Sequence, residues 1–190
     1  MQTLVTKERV ILELRRICRE TLRADEAAVT EDSSFVKDLG AESLDFLDIN
    51  YRVEQTFGIK TARHFFLEHV EEMFGEGTAI DDEGRLTPRA LELLRGRYTG
   101  SSLPDLSGGI GVDEVPQLIT VGSMADAVLS TLDTLPEACP ACGAQCWKTD
   151  DGTHIVCGGC GAAGKFVNGD ELIRQWLRKV QDETHLFGAE

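Results

Sequence analysis

Apolar residues recur at helical spacing near the start of the chain. Val10, Leu14, Ile17 and Cys18, with Leu4, Ile11 and Leu22 near the same face, are separated by Lys, Arg and Glu. That predicts an amphipathic helix of about four turns or more. Residues 24–42 are acidic and irregular, with Phe35 and Leu39 placed to plug a core beneath a loop. A second helix is expected from Ser43 to Phe57 on the stripe Phe46, Ile49, Val53, Phe57, and Gly58 stops it. HFFLEHVEEMF (64–74) reads as helix, with Phe65, Val70, Met73 and Phe74 available for burial. After the polar turn GEGTAIDDEG, another helix begins with Thr87 as N-cap and Pro88 at its first position, burying Ala90, Leu91, Leu93 and Leu94. TGSSLPDLSGGIG (99–111) has the composition of a loop. A short turn, DEVPQLI, leads into a helix after Gly122–Ser123 carrying Met124, Ala127, Val128 and Leu132. Nothing in 1–135 alternates as a strand, so this part is expected to be all-α. After 136, CPACG and CGGCG read as tight turns, QCWKT, HIVC and KFV as short strands, and ELIRQWLRKV as a last helix. No internal repeat is evident.

Charge and cysteine sharpen this division. The 190 residues carry a net charge of −14, which makes bare nucleic acid and anionic membrane surfaces poor partners and basic protein surfaces complementary ones. Residues 1–135 hold 14 basic and 25 acidic side chains, and residues 136–190 hold 5 and 8. Five of the six cysteines lie in the second segment. With Pro136 between the two compositions, the expected division is a helical domain over 1–135, with an insert at about 60–110, and a cysteine module over 136–190. No stretch long enough to cross a membrane lacks charge. The charged, site-less N-terminus does not read as a secretory signal, so the cytoplasm is the expected location.

The stretch DLGAESLDFLDINYRVEQTFGI (38–59) holds the first candidate chemistry. Taken alone, Ser43 stands where a hydroxyl serves as an N-cap, and Asp38, Glu42 and Asp45 favour the positive helix end. The outward positions argue for more. Leu44, Leu47 and Tyr51 form an apolar strip interleaved with Asp45, Asp48 and Glu54, which is the composition of a docking face. Catalysis by Ser43 is not expected: there is no G-x-S-x-G elbow, no His close in sequence, and a ring of carboxylates opposes an oxyanion.

These residues resemble the acyl carrier proteins. Their attachment motif, Asp-x-Gly-x-(Asp/Glu)-Ser-(Leu/Met), is matched by Asp38-Leu39-Gly40-Ala41-Glu42-Ser43-Leu44, with Glu42 in place of the commoner Asp. Phe57-Gly58-Ile59 and Thr120-Val121-Gly122 also follow the family, and the resemblance covers 1–59 and about 112–135. It implies a four-helix carrier fold in which Ser43 bears 4′-phosphopantetheine and the arm's thiol holds an acyl thioester. It further implies that the second helix is read by a phosphopantetheinyl transferase and by acyl-processing enzymes of ligase, ketosynthase or acyltransferase type. About fifty residues intervene where the family passes quickly to its short third helix. His64 and His69 lie in that insert without nearby Cys or Asp partners and read as surface or core residues rather than ligands.

Cys139-x2-Cys142-x14-Cys157-x2-Cys160 has the spacing of a zinc ribbon. Each C-x2-C pair lets two thiolates reach one ion from a single turn, and Gly143, Gly158, Gly159 and Gly161 permit the knuckle backbone. Four thiolates close a tetrahedral site, so one structural Zn²⁺ is expected, with iron on rubredoxin-like knuckles as the alternative. Cys146 and His154 are not needed as ligands. Lys148 and Lys165 are the only cations near the knuckles, which favours protein or intramolecular docking over nucleic acid; Trp147, Phe166, Ile173, Trp176 and Leu177 are available as apolar contact or as the module's own core.

The expectation is therefore an acyl-carrier-like helical bundle with a helical insertion, then a small β zinc ribbon and a C-terminal helix. Its role would be a non-enzymatic acyl carrier in fatty-acid, polyketide-type or specialised lipid or metabolite synthesis. The alternatives are an aminoacyl or peptidyl carrier of a nonribosomal pathway and an unmodified zinc-ribbon adaptor or regulator.

Overall fold

A computed structural model describes residues 4–97 and 109–188. The expected loop at 99–111 lies largely outside the described residues. The chain divides into two compact units built from alternating segments: residues 1–61 with 120–168, and residues 62–119 with 169–190.

The first unit is organised by three helices. α1 (Lys7–Leu22) starts on Thr6, whose Oγ1 accepts the Arg9 amide at 3.2 Å. α2 (Ser43–Phe57) ends where Gly58 turns left-handed at φ 68°. α5 (Val121–Leu132) starts on a reciprocal cap, in which Thr120 Oγ1 accepts from the Ser123 amide and Ser123 Oγ from the Thr120 amide. α1 packs on both α2 and α5. The 3.6-residue stripes meet there as a core of Val10, Leu14, Ile17, Cys18, Ile49, Val53, Phe57, Val121, Ala125 and Val128. Phe35 plugs this core from the loop, as its position predicts, and its ring lies 5.8 Å from that of Phe46. Burial drives the Cys18 thiol up to about 11, so it behaves as a small apolar side chain.

The same unit contains the cysteine segment. β1 (Trp147–Lys148) pairs antiparallel with β2 (Val156–Cys157) in the register Trp147 to Cys157. The third expected strand, KFV, is not one: Ala163 makes only an isolated bridge to Val156. Trp147 Nε1 donates to the Pro136 carbonyl at 2.8 Å, and the Val167 amide to Thr134 Oγ1 at 2.9 Å. These bonds tie the segment to the end of α5, so no compact-unit boundary falls at Pro136.

The second unit contains α3 (Phe66–Phe74), α4 (Pro88–Arg97), a 3₁₀ helix (Val112–Leu118) and α6 (Gly169–Thr184). Thr87 caps α4 as expected, through its Oγ1 and the Ala90 amide. Ile173 and Leu177 of α6 are buried with Phe66, Leu67, Val70, Leu93 and Leu94 in one cluster. The last helix thus completes the core of the insert. Ile173 and Leu177 are therefore not the core of the cysteine module, and Trp176 also packs against the insert's cluster. At the head of α6, the Asp170 carboxylate accepts the amides of Arg63 and His64 and faces His69 Nε2 at 3.0 Å. His69 is buried in this contact, whereas His64 pairs with Glu68 at the surface.

Candidate functional site

The loop before α2 is built to present a helix start. The Asp38 carboxylate accepts the Ser34 amide at 2.7 Å, and the amides of Asp38 and Leu39 both return to the Ser34 carbonyl at 3.1 Å. Gly40 takes φ 69°, where a side chain is strained, and the Ala41 amide then donates to the Phe35 carbonyl at 2.8 Å. α5 pins the same loop from behind: the Val121 amide donates to Ser33 O and the Gly122 amide to Glu31 O. A Cβ on Gly122 would stand 3.1 Å from that Glu31 oxygen, so close backbone approach is the physical reason for this glycine.

Ser43 is exposed at the first position of α2, and the N-cap is Glu42. The Glu42 amide is satisfied by the Asp45 carboxylate at 2.8 Å. Capping therefore does not occupy the Ser43 hydroxyl, and the simple capping role is displaced by one residue. Asp38 and Asp45 thus each accept a backbone amide of the segment that leads into α2.

Along α2, Leu44, Leu47 and Tyr51 are 77%, 67% and 61% exposed. These three form one unburied strip. The acidic rim is less uniform than its residue types suggest. Asp48 accepts from Arg52 Nε at 2.8 Å and from Thr21 Oγ1 at 2.9 Å, and these two partners hold its carboxyl below the usual range. Glu54 does not belong to the rim. It is only 7% exposed and accepts from Lys60 Nζ, the Thr61 amide and Thr61 Oγ1. Burial pushes its carboxyl up, but those three donors outweigh burial and hold it down.

The four cysteines predicted as ligands come together. Their sulfurs all lie within 4.8 Å of one another, with Cys139 and Cys160 3.8 Å apart and Cys142 and Cys157 3.6 Å apart. Four sulfurs about 2.3 Å from one tetrahedral centre would be separated by about 3.8 Å, so the donor set fits one zinc or iron ion. The two knuckles repeat one backbone pattern eighteen residues apart. The Gly143 and Gly161 amides donate to the Cys139 and Cys157 carbonyls, and the Cys139 and Cys157 amides to Ala144 O and Ala162 O. This short repeat, CPACGA against CGGCGA, is legible in the sequence once the ligand pairs are aligned. The Cys160 amide, with that of Gly159, favours the thiolate of Cys157, while its close partner Cys142 is shifted the opposite way because the two sulfurs share a proton. Cys146 is exposed and outside the cluster, and His154 faces α2 instead.

Comparison with known proteins bears on the first of these sites. The family model for the phosphopantetheine attachment site matches residues 13–71, which include Ser43 and all of α2. An acyl carrier protein of Petrotoga mobilis is 32% identical over 84 residues, covering 42% of this chain and 99% of the relative. That of Thermotoga maritima is 37% identical over 57 residues, 30% of this chain and 70% of the relative. The chain belongs to the acyl carrier protein family. A further relative, acyl carrier protein AcpXL of Rhizobium etli, is 41% identical over 56 residues, 30% of this chain and 61% of the relative. No solved structure matches. The match to the attachment-site model leaves the four cysteines of this acyl carrier protein outside it. Among the described residues, no helix is long and apolar enough to cross a membrane.

Proposed function

We propose that Ser43 is the attachment point of 4′-phosphopantetheine and that the chain shuttles acyl groups without catalysing their chemistry. The observation that carries this is an exposed serine at the first turn of α2, its hydroxyl not used as a cap, next to the strip Leu44, Leu47, Tyr51. The first-turn amides and the positive helix end suit a phosphodiester there, and Gly40 and Asp38 hold the approach open. The arm supplies a thiol that holds an acyl group as a thioester. The chain's own part is tethering, which turns successive encounters into a high local concentration. A transferase and acyl-processing enzymes would dock on Leu44, Leu47 and Tyr51, with Glu42, Asp45 and Asp48 as the accessible acids. On this reading the acyl group belongs to fatty-acid, polyketide-type or specialised lipid or metabolite synthesis. We further propose that Cys139, Cys142, Cys157 and Cys160 hold one structural zinc, and that these thiols belong to a reducing cytoplasm.

Incubation of the full chain with coenzyme A and a promiscuous transferase, read by intact mass, should add one phosphopantetheine to the wild type and none to Ser43→Ala. An adduct that persists in the mutant rules out Ser43.

A further inference from the structure

The loop between β1 and β2 folds on itself and then touches α2. Asp151 organises it: Oδ1 accepts the amides of Thr153 and His154, both at 2.8 Å, and Oδ2 lies 3.0 Å from His154 Nδ1. The Gly152 amide closes the turn on Thr149 Oγ1 at 3.0 Å. The ring so held places Nε2 2.9 Å from the carbonyl oxygen of Gln55. Arg9 of α1 donates to the Asp151 carbonyl at 3.1 Å, so the loop is fixed to two helices.

Both ring nitrogens of His154 face acceptors, a carboxylate and a carbonyl. Thr153 Oγ1 also lies 3.4 Å from Nδ1, and at the other nitrogen an Nε2–H donates to the Gln55 carbonyl. Its target is significant because Gln55 lies in the last turn of α2, where carbonyls have no amide partner within the helix. That turn carries no basic residue of its own. A ring N–H supplied from outside the helix meets the orphan carbonyl at that end.

We propose that His154 is a positioning residue that caps the carrier helix from the cysteine segment, and that the metal-bound knuckles hold it in place. The route is short. The loop is the turn of a hairpin whose strands are two residues each, and β2 ends on the ligand Cys157. Strands this short do not fix a hairpin alone; the knuckles and their ion do. Removing the metal therefore releases the far end of the helix that begins at Ser43. The metal part of this inference rests on the zinc reading above.

Hydrogen exchange on the full chain tests it. With zinc bound, His154→Ala should speed exchange at the last-turn amides of α2 (residues 54–58) about tenfold, equivalent to ~1.4 kcal/mol. Zinc stoichiometry and the amides of α1 should stay as in the wild type. Chelating the wild type should produce the same acceleration, and chelating His154→Ala should add little, because both act through one contact. Unchanged exchange at 54–58 in zinc-loaded His154→Ala overturns the cap. Equal further acceleration of mutant and wild type on chelation overturns the link to metal. Elemental analysis of the wild type reads the zinc site separately, and intact mass reads Ser43 separately. A chain without zinc thus defeats the metal half alone and leaves the cap to be judged on the mutant.

Discussion

Leu177→Ala tests the partnership between the last helix and the insert. Leu177 is fully buried on α6, one turn after Ile173, in the cluster built by Phe66, Leu67, Val70, Leu93 and Leu94. Truncating a fully buried leucine loses its transfer free energy and leaves a cavity, together about 2.7–5.0 kcal/mol in well-packed sites. α6 is a single helix able to settle inward slightly, so the lower part of that range applies, about 3 kcal/mol. At roughly 1.4 kcal/mol per decade, that corresponds to about a hundredfold increase in opening of the cluster. Hydrogen exchange of amides 66–74 and 88–97 should accelerate by up to that factor. Gln175→Ala, on the exposed face of the same helix, should change them within about 0.5 kcal/mol. If residues 66–74 keep their protection in Leu177→Ala while 139–160 lose theirs, α6 belongs to the cysteine segment and the assignment of its apolar face is wrong.

Three further outcomes are expected. If the four cysteines hold one metal ion, elemental analysis should count one per chain in the wild type and none in Cys157→Ser, which leaves three ligands in a segment that would draw on the order of 10 kcal/mol of folding free energy from the metal. Leu47→Ala, removing a side chain that is two-thirds exposed, should leave thermal stability within about 0.5 kcal/mol yet slow transferase modification of Ser43 about fivefold; equal rates would place docking elsewhere. Acid should weaken the second unit through Asp170. Burial raises its carboxyl, but the amides of His64 and Arg63 and the His69 ring outweigh burial and hold it down. Its contribution is complete above the unfolded value of about 3.9 and disappears as pH falls through the lower folded value. Asp170→Asn should therefore flatten the loss of α3 protection between pH 5 and acid, and an equally steep loss in the mutant refutes the assignment.

What the sequence disclosed follows from how local each feature is. The stripes of α1 and α2, the Thr87–Pro88 start and the C-x2-C pairs are written in adjacent turns, and all of them appear in the structure. Ser43 at a helix start was equally legible. The failures are non-local. By residue type Glu54 matches the rim acids beside it, but its partners, Lys60 and Thr61, lie beyond the helix end, where periodicity says nothing. The Ile173–Leu177 stripe announced a buried face without naming what covers it. Spacing among the cysteines leaves His154 without a role as ligand, and its contact lies 99 residues away.

The alternation of segments along the chain governs how the protein is made. Val121 follows Leu22 by 99 residues, so the partner of α1 emerges long after α1 itself. At roughly 5–20 residues per second, synthesis leaves the apolar stripe of α1 half-covered for about 5–20 s. α3 waits comparably for α6. Closing such loops adds little to equilibrium cost, since each doubling of length costs only ~0.6 kcal/mol, but contacts of this separation form slowly. The insertion thus weighs lightly on the finished protein and heavily on its time of assembly, and nascent chains paused before residue 120 are where holding chaperones would find the exposed face of α1.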